Sequence, residues 1–102
     1  LAACEYGDDK GIFGYGGGPS PSFSMTNLVS NAGVVATDVT IVGTARAQPS
    51  ACEYGGDKGI FGYGDTGSVV SMTNLVSNAG VVATDTTGVG TARAELAACS
   101  YN

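Results

Sequence analysis

The reactive side chains of this 102-residue sequence are few: nine carboxylates, three cysteines and no histidine. Without histidine the chain lacks the commonest general base and the commonest metal ligand. The carboxylates Glu5, Asp9 and Asp38, with counterparts Glu53, Asp57 and Asp85, can in principle pair for acid–base work, and Asp8-Asp9 can hold calcium. These six are three acids that each occur twice, at matching places in two near-identical stretches, and a duplicated acid is more simply explained by the fold than by a single active site. Asp9 and Asp57 suit tight turns, whereas Asp38 and Asp85 suit accepting hydrogen bonds or pairing with Arg46 and Arg93. The expectation is a chain that is not an enzyme and that uses no metal or cofactor.

Cys4, Cys52 and Cys99 stand 48 and 47 residues apart, each in an Ala-Cys-(Glu/Ser)-Tyr setting. Such spacing predicts equivalent strand positions in successive units, too far apart to bridge, where a free thiol packs as a small hydrophobe. Disulfides between chains are the alternative. Two further matches dissolve on inspection. Gly62-Tyr63-Gly64-Asp65-Thr66-Gly67 satisfies the dinucleotide fingerprint G-x-G-x-x-G, but Ser68-Val69-Val70 follows where a helix should begin, and the sister stretch reads Gly14-Tyr15-Gly16-Gly17-Gly18-Pro19. Leu1-Ala2-Ala3-Cys4 looks like a lipoprotein processing box, yet the same four residues recur at 96–99 inside the chain.

The repeat accounts for these coincidences. Residues 3–16 match 51–64 except at Asp8/Gly56, and residues 24–46 match 71–93 except at Val39/Thr86 and Ile41/Gly88. The loops 17–24 and 65–71 are where the two copies part. Residues 96–101 then repeat 1–6. The chain therefore divides into a first unit at 1–48, a second at 49–95, and the first strand of a third at 96–102, a closure or exchange strand.

Four short strands are predicted per unit, at 1–6, 11–15, 25–30 and 34–40 in the first. Val34-Val35-Ala36-Thr37-Asp38-Val39-Thr40 is rich in β-branched residues, Asn31-Ala32-Gly33 suits a turn with positive φ, and Pro19 and Pro21 fit only a loop. A helix at 25–31 is the competing reading of the third segment.

A unit of about 47 residues with four antiparallel strands has the size of a propeller blade. The order Thr44-Ala45-Arg46, then Ala51-Cys52-Glu53-Tyr54, then Asp57-Lys58-Gly59-Ile60-Phe61-Gly62-Tyr63-Gly64 resembles kelch repeats. In that family a small-residue-Arg turn leads into an apolar strand, a short turn, and a strand ending in glycines. The resemblance spans essentially the whole chain, with Gly-Tyr-Gly in place of the family's paired glycines. It implies an all-β fold of kelch-like four-stranded propeller blades, and two blades cannot close a ring. The ring is completed either by oligomerisation or by a longer parent chain.

Composition points the same way. Hydrophobic residues at 43% suffice for a core, while charged residues at 13% fall well short of the usual share. A net charge of −5 repels nucleic acid and anionic membranes, and the apolar runs are too short to span a bilayer, so neither nucleic-acid binding nor membrane insertion is expected. The expected partner is the chain itself, as a homo-oligomer or extended assembly. Loops on one face of a propeller are where binding usually resides, which makes Ser20, Phe23, Asp65 and Thr66 the candidate partner-binding residues. The leading reading is a non-enzymatic structural or interaction module that self-assembles through its blades. The second is a carbohydrate-binding propeller, on a cell surface or virus-like particle, with a glycan or protein ligand.

Overall fold

Side-chain alternation builds the first hairpin. In β1 (Ala2–Tyr6) the residues Ala2, Cys4 and Tyr6 turn inward while Ala3 and Glu5 face solvent. A turn at Gly7-Asp8-Asp9 returns the chain through β2 (Lys10–Gly14), placing Cys4 opposite Ile12. β3 (Met25–Val29) pairs with β2 and sets Leu28 opposite Ile12, and β4 (Val39–Thr40) closes the sheet. This computed structural model describes residues 1–17 and 22–101, which form two antiparallel sheets and no helix.

The first sheet has the order β1-β2-β3-β4. The second, β5 (Ser50–Tyr54), β6 (Lys58–Asp65) and β7 (Val69–Val76), has the order β5-β6-β7 and repeats the register of the first, with Cys52 opposite Ile60 and Ile60 opposite Leu75. The segment at 25–31 is thus a strand in both units and not a helix. Its Thr and Val residues lose rotamer freedom in a helix and pack well on a pleated surface.

The fourth strand is much shorter than the sequence pattern suggests. Residues 34–40 contribute only β4 and a lone bridge from Val35 to Val29. In the second unit the counterpart of β4 shrinks to a bridge between Thr73 and Thr86, beside a bridge from Val82 to Val76. The substitutions Val39/Thr86 and Ile41/Gly88 fall here, replacing β-branched apolar residues by a hydroxyl and by a residue with no side chain to pack.

The two sheets stack face to face, with β1 lying against β5 and β6. Tyr6, Ile12 and Tyr15 come from the first sheet's inner face, and Phe61, Val76 and Val82 from the second's. The core is therefore the junction between the repeat units. Close approach depends on small residues: a Cβ on Gly14 would meet the Phe61 ring at 2.5 Å, and one on Gly59 would lie 2.9 Å from Cys4 Sγ.

The segment 96–101 repeats residues 1–6 except at Ser100/Glu5 but has no strand ladder. It lies over β5, with Leu96 and Ala98 near Ala51 and Ile60. In β1 the ladder partner is the second strand of the same unit.

Candidate functional site

The polar heart of the junction is Arg46. Gly-Tyr-Gly positions it: Tyr15 adopts φ 61° and Tyr63 φ 63°, and in the second sheet the register shifts between Gly62 and Gly64. This bulge takes Tyr63 out of the ladder and leaves its carbonyl to accept from Arg46. The Arg46 guanidinium carbon sits 4.3 Å from the Tyr15 ring centroid, and Tyr15 in turn meets Phe61 edge to face at 5.1 Å.

Although 0% exposed, the Arg46 side chain is well partnered. Nε donates to Tyr63 O at 2.8 Å, Nη2 to Asn74 Oδ1 at 2.6 Å, and Nη1 to Thr44 O at 3.2 Å. Asn74 then passes its own amide protons to Ala83 O and to Asp85 Oδ1, and Asp85 accepts from both the backbone nitrogen and the hydroxyl of Thr44. Thr44 and Arg46 end the first unit, while Tyr63, Asn74 and Asp85 belong to the second. The network is a clamp between units.

The charges respond accordingly. Burial draws the Arg46 pKa down against the hold of Tyr15 and Asp85, and the guanidinium stays ionised. Burial raises the Asp85 pKa, but the hydrogen bonds from Thr44 and Asn74 together outweigh it and leave the carboxyl below its ordinary value. Burial also pushes the Tyr15 phenol up, with the Arg46 charge opposing. Tyr15 Oη is buried without a hydrogen-bond partner of good geometry, although the Arg46 guanidinium lies close over its ring. Arg46 and Asp85 do not form a direct ion pair; the expected Asp-Arg pairing is relayed through Asn74.

The first strands form a second feature. Cys4, Cys52 and Cys99 occupy neighbouring slots, as do Glu5, Glu53 and Ser100, because stacking the sheets brings equivalent positions side by side. All three cysteines are free. Burial pushes the Cys4 thiol up to about 11, partly offset by a hydrogen bond with the Ile60 backbone, so it is protonated and unreactive near neutrality. The hydrogen bond between the Glu5 and Glu53 carboxyls raises the Glu53 pKa, with burial adding to it.

The other acids hold turns. Asn31 Nδ2 donates to Asp9 Oδ2 at 2.9 Å and Asn78 Nδ2 to Asp57 Oδ2 at 3.1 Å, and each acid also pairs with the lysine that follows it. Among the described residues no three acidic, cysteine or histidine side chains converge as a metal site.

The loop residues singled out by sequence are placed separately. Phe23 lies in the first unit's loop, 43% exposed, its backbone nitrogen donating to Gly16 O. Asp65 ends β6, exchanges two backbone hydrogen bonds with Ala47, and caps the hairpin by accepting from Gly67 N at 2.7 Å. Thr66 forms the tip of that hairpin, donating its backbone N–H to Ser68 O. Ser20 lies outside the described residues. The fingerprint glycines at 62–67 thus run through a strand and its hairpin, where no helix end is available for a pyrophosphate.

Each end of the chain carries half of the clamp. Phe61 is fully buried in the junction, but its counterpart Phe13 is 40% exposed on the first unit's outer face; Val82 is 7% exposed and its counterpart Val35 55%. On the same outer face Asn27 donates to Ala36 O and Asp38 Oδ1, as Asn74 does to Ala83 and Asp85. On the second unit's outer face Arg93 lies 4.9 Å over the Tyr63 ring and bonds Thr91 O, as Arg46 does with Tyr15 and Thr44. Beside it a groove of about 550 Å³ opens between Cys52–Gly56 and Cys99–Tyr101. At the internal junction the equivalent turn is engaged: Gly7 N donates to Asp57 O at 2.6 Å and Gly7 packs against Asn78.

Asn27, Asn74 and Thr44 escaped the sequence reading, which sought chemistry in acids and variable loops. Their signal was an asparagine in the middle of a β-branched strand, present in both units despite its poor strand propensity. Comparison with protein-family models, with curated proteins and with solved structures finds no match to this chain.

Proposed function

We propose that the chain is a non-enzymatic structural module, built of kelch-like propeller blades, that self-assembles through its sheet faces and presents its hairpin loops to partners. One observation carries the reading: the side chains that meet at the junction between the units recur at the two outer faces, where Phe13, Val35 and Arg93 are exposed although their counterparts Phe61, Val82 and Arg46 are buried. Phe13, Val35, Asn27 and Asp38 repeat one half, and Tyr63, Leu75, Thr91 and Arg93 the other. A protein that needed to remain single would blunt such faces with charge. The reactive groups support the non-enzymatic part, since the buried thiol is protonated and the carboxylates serve turns and the clamp.

Propeller rings hold roughly four to eight blades, so two-unit chains would close one with about two to four copies. Native mass by light scattering and sedimentation, across a concentration series, tests this. Multiples of the 10.1 kDa chain mass are expected. A folded monomer at every concentration overturns the proposal.

A further inference from the structure

We infer that two chains join head to tail through a replica of the internal junction, Arg93 and Thr91 of one chain engaging Asn27 and Asp38 of the next. This rests on the self-assembly reading and adds a polarity, a register and named contacts. The internal clamp supplies the template: Arg46 reaches Asn74 Oδ1 at 2.6 Å, and Thr44 donates to Asp85. At the open ends both halves are already formed. Asn27 Nδ2 holds Asp38 Oδ1 at 2.8 Å, matching the 2.8 Å between Asn74 and Asp85, so the Asn27 carbonyl oxygen and the Asp38 carboxylate are set as acceptors. Arg93 is stacked on Tyr63 and bonded to Thr91 O, so its remaining guanidinium donors are set outward.

The apolar parts match as well. Phe61 fits against Gly14 in the internal junction, and Phe13 finds the equivalent Gly62 on the second unit's outer face, where a Cβ would meet nothing nearer than Thr73 Cγ2 at 3.3 Å. The groove beside Gly55 and Gly56 receives the incoming turn at Asp9 and Asn31, as Gly7 receives Asp57 and Asn78. The two surfaces are different, so the contact is heterologous and propagates to a ring or a filament.

One slot is contested. The segment 96–101 lies over β5 where β1 of the arriving chain belongs. The arriving β1 is held by a five-residue pairing with its own β2, whereas 96–101 has no ladder, so β1 displaces it.

A charge exchange tests the joint. Arg93→Asp sets two carboxylates against each other, and Asp38→Arg sets two guanidiniums; each chain alone should associate at least about tenfold more weakly than wild type. Mixing the two variants pairs opposite charges at one joint and leaves the native pair at the other, so assembly should return. Both sites are exposed, and unchanged unfolding midpoints at low concentration confirm that each variant folds. Val35→Asp, added to both variants, gives an independent reading on the same face and should block association of their mixture. If the variants alone assemble like wild type, or if the mixture stays monomeric, the joint is wrong although self-assembly stands. A monomeric wild type removes both.

Discussion

Replacing Arg46 by alanine should destabilise the fold far more than replacing Arg93, although the two arginines share the local sequence Gly-Thr-Ala-Arg-Ala. Arg46→Ala removes the partners of Tyr63 O and of the buried Asn74 Oδ1, and orphaned acceptors cost about 1–3 kcal/mol each. Loss of the stacking on Tyr15 adds about 0.5–2 kcal/mol. Freeing the guanidinium from its buried site returns part of this, leaving a net loss of about 2–4 kcal/mol. At about 4 °C or more per kcal/mol for a domain of this size, the melting temperature should fall by at least about 8 °C. Arg93→Ala, at an exposed site with one bond to Thr91 O and its stacking on Tyr63, should cost no more than about 1 kcal/mol in the dissociated chain. Arg46→Lys should recover only part of the loss, because an ammonium cannot match the fork that spans Tyr63 O and Asn74 Oδ1. Urea and thermal unfolding at low concentration measure all three. Equal costs for Arg46→Ala and Arg93→Ala would refute the clamp.

Further matched changes probe the packing and the charges. Gly14→Ala drives a methyl into the Phe61 ring and should cost about 1–3 kcal/mol, while Gly62→Ala, facing open space beyond Thr73, should cost less; denaturant midpoints compare the pair. Tyr15→Phe removes a buried hydroxyl that has no partner, so stability should hold or rise, and a loss above about 1 kcal/mol would mean the hydroxyl is bonded after all. Glu53 has a folded pKa above its unfolded value of about 4.3, so its contribution to folding is complete below that value and is lost as pH rises through the folded pKa. Glu53→Gln should therefore raise the melting temperature near pH 7 and lose that advantage by about pH 4, which a series of melts across pH will read.

Much of the architecture was legible because it was written twice. Alternation in Ala2–Tyr6 and the turn at Asn31-Ala32-Gly33 are local preferences, and local preferences survive into the fold when neighbours agree with them. The fourth strand did not survive at its expected length, since its pattern described propensity while its pairing depended on how far β3 could extend against it. The role of the acids was legible only in part. Asp9 and Asp57 hold turns as their sequence setting suggests, but Asp85 meets Arg46 through an asparagine that adjacency along the chain could not reveal.

The sequence by itself determined the repeat, the all-β character, the turn positions and the near absence of reactive chemistry, because these depend on residue type and short-range spacing. Only the tertiary structure decided which arginine is buried, which phenylalanine is core, and which copies of the same side chains are left facing water. Arg46 and Arg93, or Phe61 and Phe13, differ in nothing local. Stacking one sheet on another satisfies one member of each pair and leaves the other open, and that asymmetry follows from which faces meet.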